Sequence, residues 1–410
     1  MNSRPVTSTT SPAAASRTVQ DVVVIGAGTA GLAAAAELGR HGMTPLLLDR
    51  GSRVGQVWRS RYARLHLHTV RRHSALPRLR VPRRYGRFVA AADFADYLEL
   101  YAAKHGLAVR FHTGVHRISP VAGSATETGA RWLIETSAGA LGESGGMVEA
   151  RTVVVATGRL SKPVTPDWPH LAEFEGRFLL GGDYRRGDDF AGRRVLVVGA
   201  GNSGGEIAVD LAESGARSVD LAVRTPPHIV RREMGRFWSS QQSGILFGRL
   251  PTPLLDLVGR IQVGLSVPDL TPYGLPRPQV GIATRLRRDG VVPLQDVGLI
   301  DAVRSGTVRV RPAVSDLTAT GARFVDSTTA QYDAIVAAVG YRPALASTLT
   351  RELLDARGLP RVSGGPAAAP GLYFTGYTLS ISGTVRDAGI EARRVVRTIT
   401  HEPPVELTKG

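Results

Sequence analysis

Two glycine clusters and a run of closely spaced histidines are the parts of this sequence whose types and spacing could do chemistry. The first cluster is Gly26-Ala27-Gly28-Thr29-Ala30-Gly31. A β-branched run at 21–25 precedes it, and an Ala-rich stretch to about His41 follows. The next apolar run, 44–49, ends in Asp49, which lies 23 residues after Gly26. Glycines so placed make a tight turn, let the backbone approach a pyrophosphate, and let a helix pack closely on a strand. The helix N-terminus adds free N–H groups and the positive end of the dipole. An acid at the end of the second strand would accept ribose hydroxyls. A Gly-rich turn without ligand is the plainer alternative, but the whole strand–turn–helix–strand–acid unit points to a dinucleotide.

The second cluster is Gly199-Ala200-Gly201-Asn202-Ser203-Gly204-Gly205-Glu206. Its following strand, 218–223, ends at Arg224 instead of an acid. An arginine there suits a 2′-phosphate and so predicts NADPH over NADH; an ordinary surface arginine is the alternative. Two nucleotide units need two cofactors that meet. A nicotinamide donor on one and a flavin on the other, with hydride passing between them, is the common solution.

The histidines are His66, His68 and His73. Alternation puts His66 and His68 on one strand face. No acid stands near them, so no metal site is expected. The chain has no cysteine, which removes disulfides, thiolate metal sites and a Cys-x-x-Cys redox pair.

The elements that must position these residues follow one program, twice. A Gly-loop unit is followed at length by a buried strand ending in glycine: 151–158 in the first half, 333–340 in the second. Residues 51–87 read as basic, His-rich loop, 92–105 as a helix, and 163–169 as a Pro-rich linker. Gly/Ser/Ala loops are expected around 122–129 and 137–146. Residues 225–293 are punctuated by Pro and Gly, and a strand at 371–375 and a helix from about Asp387 close the chain. The apolar stretch 244–270 is expected to pack over the domain interface, with tunnel lining or apposition to a membrane as alternatives. The fold predicted is α/β, with two Rossmann-like dinucleotide-binding domains in a glutathione-reductase-like architecture. Residues 1–18 read as a disordered tail, 19–170 and 343–410 as the FAD domain, and 171–342 as the NADPH domain, with an insert at 225–293.

Bulk properties bound the partners. At 410 residues the chain suits two packed domains, and 43% hydrophobic with 21% charged residues is ordinary for a globular protein. The net charge of +16 is nearly all arginine, with lysine only at Lys104, Lys162 and Lys409. The arginines are dispersed, without a run of five or more, so nucleic acid is not expected as a partner. No apolar run reaches the roughly 18 residues a membrane span needs. The N-terminus lacks the apolar core of a secretory signal, and a cytoplasmic location is expected. The assembly state is open, a homodimer being one option.

With these residues in view, the chain resembles the class B flavoprotein monooxygenases, the flavin-containing monooxygenase family. Within it the chain is most similar to the YUCCA-type indole-3-pyruvate monooxygenases and their bacterial relatives, over about residues 20–400. Beyond the Gly-loops, the resemblance rests on Gly55-Gln56-Val57-Trp58, on Tyr62 with Arg64-Leu65 and His66-Leu67-His68, and on Leu76-Pro77. It continues through Ala156-Thr157-Gly158 with Pro163 and Pro166, Phe174 and Gly176 with Asp183-Tyr184, and Arg231-Arg232-Glu233-Met234-Gly235. Tyr273-Gly274-Leu275-Pro276, Pro293 to Gly298, Gly340-Tyr341, and Gly371 to Gly376 complete it. Three positions depart from the family pattern: Leu180 stands for the fingerprint histidine, Val339 for a threonine, and Arg71 for a lysine.

The resemblance implies FAD and NADPH as cofactors and a small organic substrate with O2 as reactants. Reduced flavin would form a hydroperoxide and deliver one oxygen atom to a keto acid, amine or sulfide. It implies cofactor contacts from Gly26, Gly28, Gly31, Asp49, Arg50, Gln56, Trp58, His66, Thr157 and Gly158. From the second half it implies Gly199, Gly201, Asn202, Ser203, Gly204, Arg224, Gly340, Tyr341 and Gly376. His68 aligns with a position near the reactive edge of the flavin, where it would be catalytic; a satisfied loop histidine is the alternative. Leu180 keeps open a second reading, an NADPH-dependent oxidase or reductase that releases hydrogen peroxide.

Overall fold

The computed structural model describes residues 18–121, 129–137, 145–235 and 238–401. The expected tail, apart from Thr18, and nearly all of the two expected Gly/Ser/Ala loops lie outside the described residues, as do 402–410.

Two sheets organise the chain. In the first, the apolar strand Gln20–Ile25 runs parallel to Leu46–Leu48 on one side and to Met147–Val155 on the other. Val23 and Val24 sit opposite Val153 and Val154, buried on both faces. That double burial is why these strands read as unbroken β-branched runs. The long strand Met147–Val155 forks. Its first half pairs antiparallel with Trp132–Thr136, and its last three residues pair parallel with Leu372–Phe374. Residues at the C-terminal end of the chain thus complete the first sheet. The helix Thr29–Arg40 lies against the final helix, Thr384–His401, in one apolar core, and the buried alanines 33–36 leave room for that close approach.

The second sheet is wholly parallel, in the order Arg177–Leu180, Ala334–Ala337, Arg194–Val198, Ser218–Ala222, Val308–Arg311. All five strands come from within 177–311 and 334–337. The α/β class with parallel sheets is therefore as expected. Two stretches correct the sequence reading. Residues 51–87 are not plain loop: they hold the short helix Gln56–Arg59 and the strand His66–Val70, which pairs with Phe88–Ala90. Residues 225–293 fold into three helices, Ser240–Phe247, Thr252–Ser266 and Ile282–Asp289, besides short strands. The last helix also starts three residues earlier than expected, at Thr384.

Candidate functional site

Each Gly-loop turns from its strand into its helix in the same way. Gly26 has φ +99° and Gly199 φ +107°, a left-handed backbone that other residues avoid. A Cβ on Gly31 would lie 1.8 Å from the Gly26 carbonyl oxygen, and one on Gly204 would lie 1.8 Å from that of Gly199. These third glycines therefore serve helix-to-turn packing. At the middle glycines, Gly28 and Gly201, a Cβ would meet nothing within 4 Å. Both are helix N-caps without a side-chain hydrogen bond. Uncapped N–H groups facing open space are what a pyrophosphate requires.

Both loops open onto one cavity of about 1690 Å³. Gly26, Gly28, Asp49, Arg50, Gln56, Trp58, Thr157, Gly158 and Gly376 line it from the first half. Gly201, Asn202, Ser203, Gly340 and Tyr341 line it from the second, and His66 and His68 lie between. Gly31, Gly199, Gly204 and Arg224 do not line it. Arg224 stands exposed just beyond the strand Ser218–Ala222. Leu180, at the end of Arg177–Leu180, faces the cavity with Gly181 and Gly182.

Asp49 accepts the Ala27 N–H at 2.7 Å and the Gly51 N–H at 2.7 Å. A carboxylate has about four lone-pair directions, so capacity remains for a sugar hydroxyl. Asn202 ties the second loop to the chain beyond residue 292, accepting the Gln295 N–H at 2.7 Å and donating to the Pro293 carbonyl at 3.2 Å. Arg61 donates to the Tyr341 hydroxyl at 2.8 Å and lies over the same ring, joining the segment before the histidine strand to the chain just after Gly340.

The two histidines differ. The Nδ1–H of His66 donates to the Arg64 carbonyl at 2.8 Å, which fixes its tautomer. Nδ1 of His68 is buried and has no partner. Burial, with Arg232 and His66 nearby, pushes the His68 imidazole down to about 4, so it is neutral under ordinary conditions. An orphaned buried nitrogen on the wall between the two Gly-loops fits a site made to be filled by a polar ring. Among the described residues no group of three or more His, Cys, Asp or Glu side chains is arranged to hold a metal.

Sequence reasoning passed over three residues. Gln241 is buried; it accepts the Val70 N–H at 2.8 Å and donates to the Ser382 carbonyl at 2.7 Å. It thus clamps the histidine strand to the turn before the last helix. Glu206, only 2% exposed, accepts a hydrogen bond from the hydroxyl of buried Tyr62, and the Ser203 hydroxyl reaches the same tyrosine. Burial raises Glu206 to about 7, against the opposing pull of Tyr62, Arg232 and Arg64. Both Tyr62 and Glu206 stand inside motifs visible in the sequence, but nothing local pairs them.

Two uncapped helix N-termini, one beside each sheet, open onto one cavity, a geometry suited to two phosphate-bearing ligands. The family model of flavin-binding monooxygenase-like proteins matches residues 19–351. The chain is 35% identical, over 90% of its own length and 90% of the relative's, to indole-3-pyruvate monooxygenase YUCCA1 of Oryza sativa subsp. japonica. Among solved structures it is similar to a mutant of a flavin monooxygenase from Stenotrophomonas maltophilia, with TM-score 0.68, 25% identity, and coverage of 93% of this chain and 98% of that one. A steroid monooxygenase solved in its oxidised form with NADP shares the fold, at TM-score 0.71 and 21% identity over 93% of this chain and 85% of the other. The chain belongs to the flavin-binding monooxygenase-like family, and the expected flavin-dependent monooxygenase is met at that level.

Proposed function

We propose that this protein is an FAD- and NADPH-dependent monooxygenase that inserts one oxygen atom of O2 into a small organic substrate. The observation that carries the reading is the convergence of two uncapped, glycine-flanked helix N-termini on a single cavity. In this reading each sheet is the core of a Rossmann-type domain. Residues 19–170 with 343–410 would hold FAD, and 171–342 NADPH. When bound, FAD accepts hydride from NADPH and activates O2.

The chain's own residues position and enclose. The Gly28 and Gly201 helix N-termini hold the two pyrophosphates, and Asp49 holds a ribose. Neutral His68 offers a hydrogen bond to the flavin side without bringing in a charge. Phe247, Leu255, Val258, Ile282 and Ile381 give the cavity an apolar wall that excludes water from the reacting atoms. That wall fits an aromatic or aliphatic body. The naming of the rice relative favours an arylpyruvate-like keto acid, with amines and sulfides as the other acceptors.

The test is to mix NADPH-reduced protein with O2 in a stopped-flow spectrometer, then to analyse products made under labelled O2. Labelled oxygen in the product, with little free peroxide, supports the reading. Immediate return of the oxidised flavin spectrum with stoichiometric peroxide, for every substrate class, overturns it. That outcome would favour the oxidase or reductase reading, which rests on Leu180 lining the cavity where the family pattern has histidine.

A further inference from the structure

The helix Thr252–Ser266 has two apolar faces. Leu255, Val258, Gly259 and Gln262 line the cavity. On its outer side Leu254, Leu257, Ile261 and Leu265 recur at three- and four-residue spacing, which stacks them in one stripe. They are 48%, 51%, 55% and 87% exposed, and Leu246 of the preceding helix is 62% exposed. At the rise of an α-helix the stripe is ~16 Å long. Among the described residues nothing covers it. A soluble monomer rarely leaves a contiguous apolar patch of that kind to water.

The rim of the patch is cationic. Arg249 lies in the turn before the helix, Arg260 lies beside the stripe, and Arg287 meets Thr252 at the helix start; all three are exposed. None forms an ion pair among the described residues. The nearby acids are engaged elsewhere. Asp256 turns inward and accepts the Ala283 N–H at 2.7 Å and the Thr284 N–H at 3.2 Å, and Asp289 pairs with Arg288 at 2.8 Å.

We propose that this face docks reversibly on an anionic phospholipid surface, with the leucine stripe at the headgroup–acyl boundary and the arginines among the headgroups. No helix of the described residues is long and apolar enough to cross a membrane, so the contact is peripheral. Charge argues against a second copy as the occupant. A two-fold contact of this face would bring the Arg249, Arg260 and Arg287 rims of both copies into one interface, on chains that already carry +16 each. The docked face and the cavity wall are then opposite sides of one helix.

The experiment is co-sedimentation of the full-length, flavin-loaded protein with phosphatidylcholine vesicles, with and without phosphatidylglycerol, at roughly physiological salt. Affinity for the anionic vesicles should exceed that for phosphatidylcholine alone by about tenfold or more, and should fall as salt is raised. The double variant Leu257→Ser, Ile261→Ser should lose about tenfold in vesicle affinity and keep its flavin content. The proposal fails if the protein stays in solution with anionic vesicles, or if the double variant binds as the wild type does. It also fails if light scattering shows a wild-type dimer that the double variant converts to monomer, since the face would then belong to a second copy.

Discussion

Replacing Glu206 by glutamine should change the pH dependence of stability, and the size of the change can be worked from the structure. The carboxyl is buried beneath the second Gly-loop, and burial raises it from 4.5 to about 7 in the folded protein. The folded state therefore holds this proton more tightly than the unfolded state. The associated stability is fully present below about pH 4.5 and is lost as the pH rises, until the folded group has itself ionised, near pH 7. Between about pH 5 and about pH 8 the loss integrates to roughly 2–3 kcal/mol. Glutamine removes the titration but keeps an oxygen that can accept from Tyr62. Urea unfolding of wild type and Glu206→Gln, under the same excess of FAD at each pH, gives the difference directly. The variant should gain roughly 2–3 kcal/mol on the wild type across that range. A constant difference would refute the reasoning, because it would mean that Arg232 and Arg64 outweigh burial and hold Glu206 ionised throughout.

Gly31→Ala places a methyl against the Gly26 carbonyl oxygen, 1.8 Å away, with the Ala156 Cβ 3.4 Å away, so the turn backbone itself must shift; flavin per chain should fall to near zero. Gly39→Ala, in the same helix with nothing within 4 Å, should keep its flavin and gain up to about 1 kcal/mol in urea unfolding. Arg224→Glu should raise the KM for NADPH roughly 10- to 100-fold and leave that for NADH nearly unchanged; equal changes would remove the 2′-phosphate from the account. His68, pushed down to about 4, should contribute no inflection to kcat/KM above about pH 5. An inflection near pH 6.5 that disappears in His68→Ala would show that the imidazole titrates where an exposed histidine does.

The parts that were legible in the sequence are those fixed by local rules. Each Gly-loop shows itself because turn, cap and close packing are all demanded within a few residues, and the flanking strands show themselves because burial on both faces leaves little but Val, Ile, Leu and Ala. Segments organised by distant partners were not legible. The strand His66–Val70 pairs with Phe88–Ala90 through an irregular register and hides inside an Arg- and Pro-rich stretch. Proline misled at 225–293: Pro253 sits in the first turn of Thr252–Ser266, where a missing N–H costs nothing, so it marks a start and not a break. Gly244 also reads as punctuation, yet a Cβ there would lie 2.4 Å from the Ile381 carbonyl, so its role is close packing inside a helix. Gln241 bonds to groups 171 and 141 residues away, and no spacing rule reaches that far.

The Tyr62–Glu206 pair ties these strands of argument together. Tyr62 belongs to the segment that carries His66 and His68, and Glu206 lies one turn into the helix that begins at the second Gly-loop. A buried carboxyl raised to about 7 is a standing cost at neutral pH, of about 3 kcal/mol. An apolar pair of similar size would avoid it, but would not direct one tyrosine oxygen at both Glu206 and Ser203. Hydride transfer needs reacting atoms about 3–3.5 Å apart, so the proposed placement of one cofactor at each Gly-loop would require the two loops to keep a fixed offset. A hydrogen bond between the histidine segment and the helix of the second Gly-loop sets such an offset where simple burial, which has no direction, does not. The stability lost on ionising Glu206 and the alignment of the two Gly-loops are therefore two consequences of the same contact.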